Sequence, residues 1–590
     1  MEFYDISLEK KILDEISAER AFEDIKAICE IGEKIAGSAE ETKFVEYMSK
    51  RLDEIGIEYD VYTFKGYVST PIEAKLKILS PVEKEIPCQV YAQSASTPPE
   101  GIEGELVYVG SGGIDDYKGK EVEGKITLAE LSYSPPRPEK VRIAQEKGAI
   151  AQIQINWGLA ERKLLPRGTV KSIWGNPTPD DIPRITKIPA VGITKADGMF
   201  LKELIEKEGK VKVWLMTKAW RGFRDIHDIV AYVKGSKEPE KFIIVNGHFD
   251  CWGPGATDNA VGNAALLEFA RVFMKYKDHL RRSIRLAWWS GHESGIMDGS
   301  TWYIDNFWDD INKNCVGWLN IDSIGMKGTD KFWAMATEGV HDVVAKTIRD
   351  VDGTEPIEVH RLIKVGDASA LGVGVPHLMT FTAFPREEVI KEVGRYTPIY
   401  LGWWYHGPED SIDKIDLRAY ERGLKVYAAL SLRFANSLIL PYKFSEATGK
   451  IVNYVKEMKE LSKDVVDLSR VEHNARVFDE KVRKFEEEVR EKLGKTATEE
   501  ELEAYAKEIN VTLMKLSRYI IPLMYTYDAG RYGQDPYGLT YLGYTVPNLS
   551  IIKDLVEVPR DTDEFYMYLT KTVRKINLVA DWLEEASKLI

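Results

Sequence analysis

KFIIVNGHFDCWGPGATDN, residues 241–259, decides the fold and places the chemistry. Its opening run, Phe242 to Val245, is β-branched and aromatic and spells a buried strand. The strand runs out at Gly247, and His248, Phe249 and Asp250 follow at once. A loop rich in Gly and Pro leads to Asp258 and Asn259, which stand in front of a long apolar helix pattern at 260–276. A strand that delivers imidazole and carboxylate at its C-terminal end, followed by a helix, is the unit from which open α/β sheets build ligand sites.

Outward from that stretch the same alternation continues. After Asp225, residues 227–235, 283–290, 315–322 and 376–383 read as further strands, and 299–307, 341–351 and 418–440 as helices. This pattern predicts a parallel sheet with helices on both faces, an α/β/α core. Upstream, residues 8–55 read as two helices, the second opened by Ser38 and Glu41 at capping-box spacing. Residues 57–64 alternate like a strand. From Gly66 the texture changes to short β-like runs such as AKLKIL, GELVYVG, KITLAEL and AQIQIN, separated by Pro and Gly turns. That texture predicts a β-rich unit at 66–221, inserted into a core domain made of 1–65 and 222–440. Beyond Pro441 the strand pattern stops, and 452–461, 477–493, 499–524 and 564–590 read as helices of a C-terminal domain at 441–590. Thr498 and Glu501 mark one helix start, and a Gly/Tyr-rich loop fills 526–544. Such helices have faces to bury, and a homodimer interface is a natural use for them.

Composition bounds the rest. With 590 residues the chain is too long for one core. A formal charge of −14 argues against nucleic acid as a partner, and no apolar run approaches the roughly 18–20 residues that span a membrane. The four cysteines, Cys29, Cys88, Cys251 and Cys315, form no C-x-x-C pair, so no thiolate metal knuckle or disulfide framework is indicated. The N-terminal MEFYDISLEKKILDE lacks the pattern of a signal peptide, and a cytoplasmic protein is expected.

Five residues at strand ends carry the chemistry. His248 and Asp258 come from 241–259, Glu293 from SGHESG, Asp322 from the end of 315–322, and His406 from YHGPEDSIDKID. Singly, such an Asp is an ordinary helix cap and such a His an ordinary hydrogen-bonded residue. Two imidazoles and three carboxylates together suit zinc, with a coordination position left open for water. One carboxylate bridging two ions about 3.5–4 Å apart is a common device for aminopeptidase-type hydrolysis. Asp250, two residues from His248, is placed to accept that ligand's second ring N–H.

The set HFD, ATDNAVGNAALLE, WWSGHESG, NIDSIG and YHGPEDSID resembles the M28 family of co-catalytic zinc peptidases, whose order H-x-D, D-N, E-E, D, H is matched over about 220–440. The insertion, with GELVYVG, YKGKEVEGKI and PAVGIT leading into KADGMFLKEL, resembles a protease-associated domain. The whole chain resembles the glutamate carboxypeptidase and transferrin receptor branch, which has a zinc-peptidase fold, a protease-associated insertion and a helical dimerisation domain. The resemblance implies two Zn²⁺ per chain, Asp258 bridging them, His248 and Asp322 completing one site, and Glu293 and His406 the other. Tyr405 matches a position whose phenol stabilises the tetrahedral oxyanion.

One position departs from the family. Where two adjacent glutamates are the rule, the first a general base and the second a ligand, this chain has His292 and Glu293. Three readings stay open: His292 is the general base, with an ordinary pKa of about 6.5 near operating pH; the site hydrolyses an amide other than a peptide bond; or catalysis is lost and the chain is a receptor-like binding protein. Trp403 and Trp404 either wall a pocket or pack in the core. Arg386, Arg395 and Arg531 either receive a substrate carboxylate or are surface cations. Asp367, in GDASALGVGVP, either sits beside the site or caps a helix. The expectation is a zinc exopeptidase acting on short peptides, aminopeptidase first on the family's commonest activity and carboxypeptidase second.

Overall fold

The protein is described by a computed structural model over residues 5–132, 135–363, 365–393, 401–493, 495, 498–527 and 544–590. Eight strands form the core sheet: β1 (Glu58–Ser80), β2 (Lys212–Val233), β3 (Glu238–His248), β4 (Arg282–Trp289), β5 (Cys315–Asn320), β6 (Lys331–Ala336), β7 (Val359–Arg361) and β8 (His377–Ala383). Their order is β7-β6-β8-β5-β3-β4-β2-β1. The four central strands β4, β3, β5 and β8 run parallel. β6 opposes β8, and β2 opposes β4. The sheet is therefore mixed rather than wholly parallel.

The chain's own connections explain the reversal. Only residues 234–237 join β2 to β3, too few for the crossover a parallel pair needs. The link passes close over the start of β4: a Cβ on Gly235 would stand 2.5 Å from the carbonyl carbon of Arg282. Any side chain there would force the two segments apart. β1 and β2 pair antiparallel along nearly their whole length, from Glu58 opposite Tyr232 to Ser80 opposite Lys212. This ribbon leaves the core sheet and carries the inserted unit, whose strand Ile102–Tyr108 pairs with the far end of β2. The sheet then continues through Ile126–Glu130, Ala151–Ile155, Ala190–Ile193 and Cys88–Val90.

Among the described residues three helices, not two, precede β1: Ile6–Leu13, Ala18–Glu30 and Ala39–Ile55. The break comes at Ser17, whose hydroxyl caps Arg20 N while its own N–H donates to Glu268 Oε1 at 2.8 Å. The capping box at Ser38 forms by half. Ser38 Oγ accepts Glu41 N at 3.2 Å, but the buried Glu41 carboxylate turns to the N–H of Gly37 and to the backbone N of His227 on β2, the latter at 2.7 Å.

Past residue 440, helices Ser445–Ser462, Ser469–Leu493, Glu499–Tyr525, Ile551–Glu557 and Asp563–Ser587 pack on one another. Their apolar faces join the core that holds the sheet, so Phe478 and Leu583 share one cluster with Val245 and Leu319. Arg518 fastens them: its buried guanidinium donates to the carbonyls of Asn312, Cys315 and Gly374 at 3.0, 2.6 and 3.0 Å. Most of the Gly/Tyr-rich loop lies outside the described residues. Among the described residues, no helix is long and apolar enough to cross a membrane.

Candidate metal centre

β3 ends on His248, which is fully buried, and its two ring nitrogens face different neighbours. Nδ1 lies 2.9 Å from the backbone carbonyl of Asp250, while the Asp250 carboxylate stands 3.8 Å off. The expected carboxylate–imidazole bond is thus made by the peptide oxygen. The carboxylate has other work, because it accepts the N–H groups of His292, at 3.0 Å, and Glu293, at 2.9 Å. Asp250 thereby caps the short turn His292–Gly295 that follows β4 and aims its side chains.

His248 Nε2 points the other way, 3.2 Å from Asp258 Oδ1 and 3.7 Å from Asp322 Oδ2. The second oxygen of Asp258 lies 3.3 Å from His406 Nε2, which is 2.9 Å from Glu293 Oε1. Asp258 therefore stands between two imidazoles, one oxygen toward each. The five sequence-predicted ligands converge on one place.

Asp258 is held by residues that the strand pattern did not single out. Asp410 accepts Thr257 N, Thr257 Oγ1 and Asp258 N at 2.9, 2.8 and 3.0 Å. Asn259 donates to Ile321 O at 2.8 Å and accepts Gly262 N, tying the loop to the end of β5. The Asp258–Asn259 peptide is cis. Trp252 donates to Glu293 Oε2 at 2.9 Å, leaving Oε1 to face the centre. Asp410 lay inside the quoted motif YHGPEDSID, so its signal was present but unassigned.

The electrostatics follow from burial. Burial alone would press the His406 imidazole down, but Glu293 and Asp258 outweigh it and raise its pKa to about 9. Burial would lift the Asp258 carboxyl, yet the imidazoles of His248 and His406 set against it hold it far below the usual carboxylate range. For Asp410, burial outweighs the hydrogen bonds from Thr257 and pushes the carboxyl up to about 7.

A metal fits this donor set. His248 Nε2, Asp258 Oδ1 and Glu293 Oε1 are buried without a hydrogen-bond partner. Buried polar atoms normally find one. All three lie within 4.8 Å of one another, as do donor atoms of His248, His292 and Asp322. His292 is not arranged as a further ligand to the ion that His248 would hold. The two rings stack with centroids 3.8 Å apart and planes 8° apart. An ion about 2.0–2.1 Å from both nitrogens would sit well out of both ring planes, where imidazole has no lone pair. His292 faces the centre from beside it.

Above the ligands lies a cavity of about 150 Å³, lined by His292, Met379, Phe381, Tyr405 and residues of the inserted unit, among them Arg137 and Trp157. Tyr405 stacks on His406 at 3.8 Å and on Trp157 at 5.9 Å. Trp403 and Trp404 do not line it. Trp404 is buried and donates to Thr257 Oγ1 at 3.0 Å, which supports the Asp258 loop instead. Arg386 begins the helix Arg386–Val393 and is not among the lining residues, while Arg395 and Arg531 lie outside the described residues.

The inserted unit also backs the ligands. The carbonyl of Arg167 stands 3.1 Å from His406 Nδ1, fixing that ring from behind. Lys171 Nζ donates to Asp298 Oδ1 at 2.9 Å, both groups buried, and to Gly295 O. Gly175 N donates to Ile296 O at 2.8 Å. Breaking one partner of such a buried pair typically costs about 3–5 kcal/mol, so residues 167–176 are part of the site's wall.

Comparison with known proteins agrees with this geometry. Residues 228–431 match Peptidase family M28, and residues 102–201 match the PA domain. The chain is 25% identical over 507 residues to the probable glutamate carboxypeptidase VP8 of Zea mays, covering 74% of this chain and 70% of that protein. It is 26% identical over 427 residues to aminopeptidase YwaD of Bacillus subtilis (strain 168), covering 70% and 84%. The solved structure of an aminopeptidase from Aneurinibacillus sp. strain AM-1 superposes with a TM-score of 0.55 at 26% identity, covering 72% of this chain and 96% of that one. With the ligand cluster lying inside the matched region, residues 228–431 form a metallopeptidase domain of the M28 type, and a PA domain is set between β1 and β2.

Proposed function

We propose that the chain is a two-zinc exopeptidase that trims short peptides from one end. The observation that carries this reading is the convergence of buried, unpartnered ligand atoms beneath a small cavity. His248 and Asp322 would hold one ion, Glu293 and His406 the other, with Asp258 shared. Zinc bound there would polarise the scissile carbonyl and lower the pKa of water toward about 7. The protein's own part is to place His292 as acceptor of the attacking water's proton and the Tyr405 phenol beside the developing oxyanion. Digestion of a peptide library with and without zinc, read by mass spectrometry, tests the reading. Loss of single terminal residues only with metal supports it; metal-independent or internal cleavage sinks it.

Arg137 favours the carboxy end over the amino end expected from the sequence. It lines the cavity, its Nε is buried without a hydrogen-bond partner, and no carboxylate pairs with it among the described residues. Gly168 lies between it and His406: a Cβ there would be 2.0 Å from Arg137 Nη1 and 3.2 Å from His406 Nδ1. A guanidinium so placed suits a free substrate carboxylate. Hydrogen bonds to charged groups are worth about 1.5–3 kcal/mol, so Arg137→Met should raise KM for free-acid peptides about 10–10²-fold and spare C-terminally amidated ones. Equal effects on both would return the choice to the amino end, which the likeness to the aminopeptidases supports.

The helices past residue 440 leave Tyr566, Met567 and Val573 exposed along Asp563–Ser587, and we infer a homodimer through this region. Light scattering should give about twice 67.0 kDa; a mass near 67.0 kDa rejects it.

A further inference from the structure

Asp367 lies 75 positions from His292 in sequence, yet the two side chains meet, with Asp367 Oδ2 3.2 Å from His292 Nδ1. The carboxylate is fully buried, and its other oxygen accepts Ser300 Oγ at 2.8 Å. Behind Ser300 the bonds continue. Ser300 and Ser369 hydroxyls are 2.8 Å apart, and the Trp174 indole N–H donates to Ser369 Oγ at 3.1 Å. The donors therefore run in one sense, from Trp174 through Ser369 and Ser300, and end on a carboxylate that has one oxygen left for an imidazole. His292 is held on its other sides too, by its N–H to Asp250 and by the His248 ring stacked against it.

We propose that Asp367 is a positioning residue for His292, fixing the ring with its proton on Nδ1 so that Nε2 faces the metal centre without one. This rests on the reading of His292 as the proton acceptor. An ionised carboxylate only accepts, so Nδ1 must donate, and a neutral ring then has its lone pair on Nε2. The need is particular to this chain. A glutamate base offers two equivalent oxygens, whereas an imidazole offers one useful nitrogen and only in one tautomer. The partner that selects the tautomer becomes part of the machinery once the base is histidine.

Three measurements separate this from a merely structural role. Asp367→Asn should lower kcat about 10–10²-fold, with KM and zinc content within about twofold of the parent. The double variant His292→Ala/Asp367→Asn should be no slower than His292→Ala alone, because Asp367 acts only through that ring. Multiplied losses would overturn the proposal. The third readout needs neither zinc nor turnover. In metal-free protein carrying ¹⁵N-histidine, at a pH alkaline enough to leave the ring neutral, the His292 signal, assigned by its absence in His292→Ala, should show a protonated Nδ1 and an unprotonated Nε2. The opposite tautomer would overturn the proposal even if Asp367→Asn fails to fold. If the parent chain cleaves no peptide, the exopeptidase reading falls, and the tautomer still decides what Asp367 does.

Discussion

Replacing Asp258 with asparagine is expected to remove zinc and hydrolysis together. Each oxygen of this carboxylate faces a different imidazole, at 3.2 Å from His248 and 3.3 Å from His406. An amide keeps the shape but offers one oxygen, and it turns an N–H₂ group, a donor, toward the other half of the centre. The fold should survive, because Asp410 grips the backbone of Thr257 and Asp258 rather than the Asp258 side chain. Several kcal/mol of transition-state stabilisation depend on the ions, and each 1.36 kcal/mol is tenfold in rate, so activity should fall by about 10³-fold or more. Metal analysis should show loss from both halves of the centre. Added zinc, which should raise the Tm of the parent by stabilising the folded state about 2.7 kcal/mol at a hundredfold excess over Kd, should leave the variant nearly unmoved. A variant that keeps full zinc and turnover would mean that Asp258 is not shared.

His248, Glu293 and Asp322 were legible because each is marked locally, by a polar residue where an apolar strand gives way to a loop or helix, whereas Asp258 stands at the start of a helix and His406 in a turn that follows no strand, and these two were legible from their motifs. His248 at the end of β3 and Glu293 just beyond β4 need no knowledge of the rest of the chain. What was not legible depends on distant partners. The break at Ser17 is set by Glu268, 251 positions away. The direction of β2 follows from a four-residue link and from its pairing with β4, neither of which alters its periodicity. Asp250 was given the right neighbourhood but the wrong contact, because a backbone carbonyl competes with a side chain in a way that spacing does not reveal. Arg137, Trp157 and the Arg167 carbonyl belong to the inserted unit, and only its docking brings them to the cavity; Arg167 is 239 positions from the ring it holds. The sequence predicts a ligand set well when a strand end or a local motif marks each ligand, and a substrate wall poorly when another domain supplies it.

The substitution of the remaining departure, His292→Ala, should separate holding metal from using it. The ring lies against His248 in parallel rather than pointing at the same ion, so its removal should leave the zinc content unchanged. Its loss takes away the proton acceptor, and positioned general bases contribute about 10²–10⁴-fold, so kcat should fall by that factor while KM stays near its parent value. Unchanged turnover would remove His292 from the chemistry, and loss of zinc would make it a ligand after all. The companion His292→Glu sharpens the point. Glutamate restores the family's residue, but the fully buried Asp367 now faces a second carboxylate across the place where Nδ1 stood. Like charges that close cannot both stay ionised without cost, so His292→Glu should recover little activity alone and more when Asp367 is also made asparagine. That order of recovery would mean that this chain exchanged one base for another together with its partner, rather than losing a base and keeping an idle site.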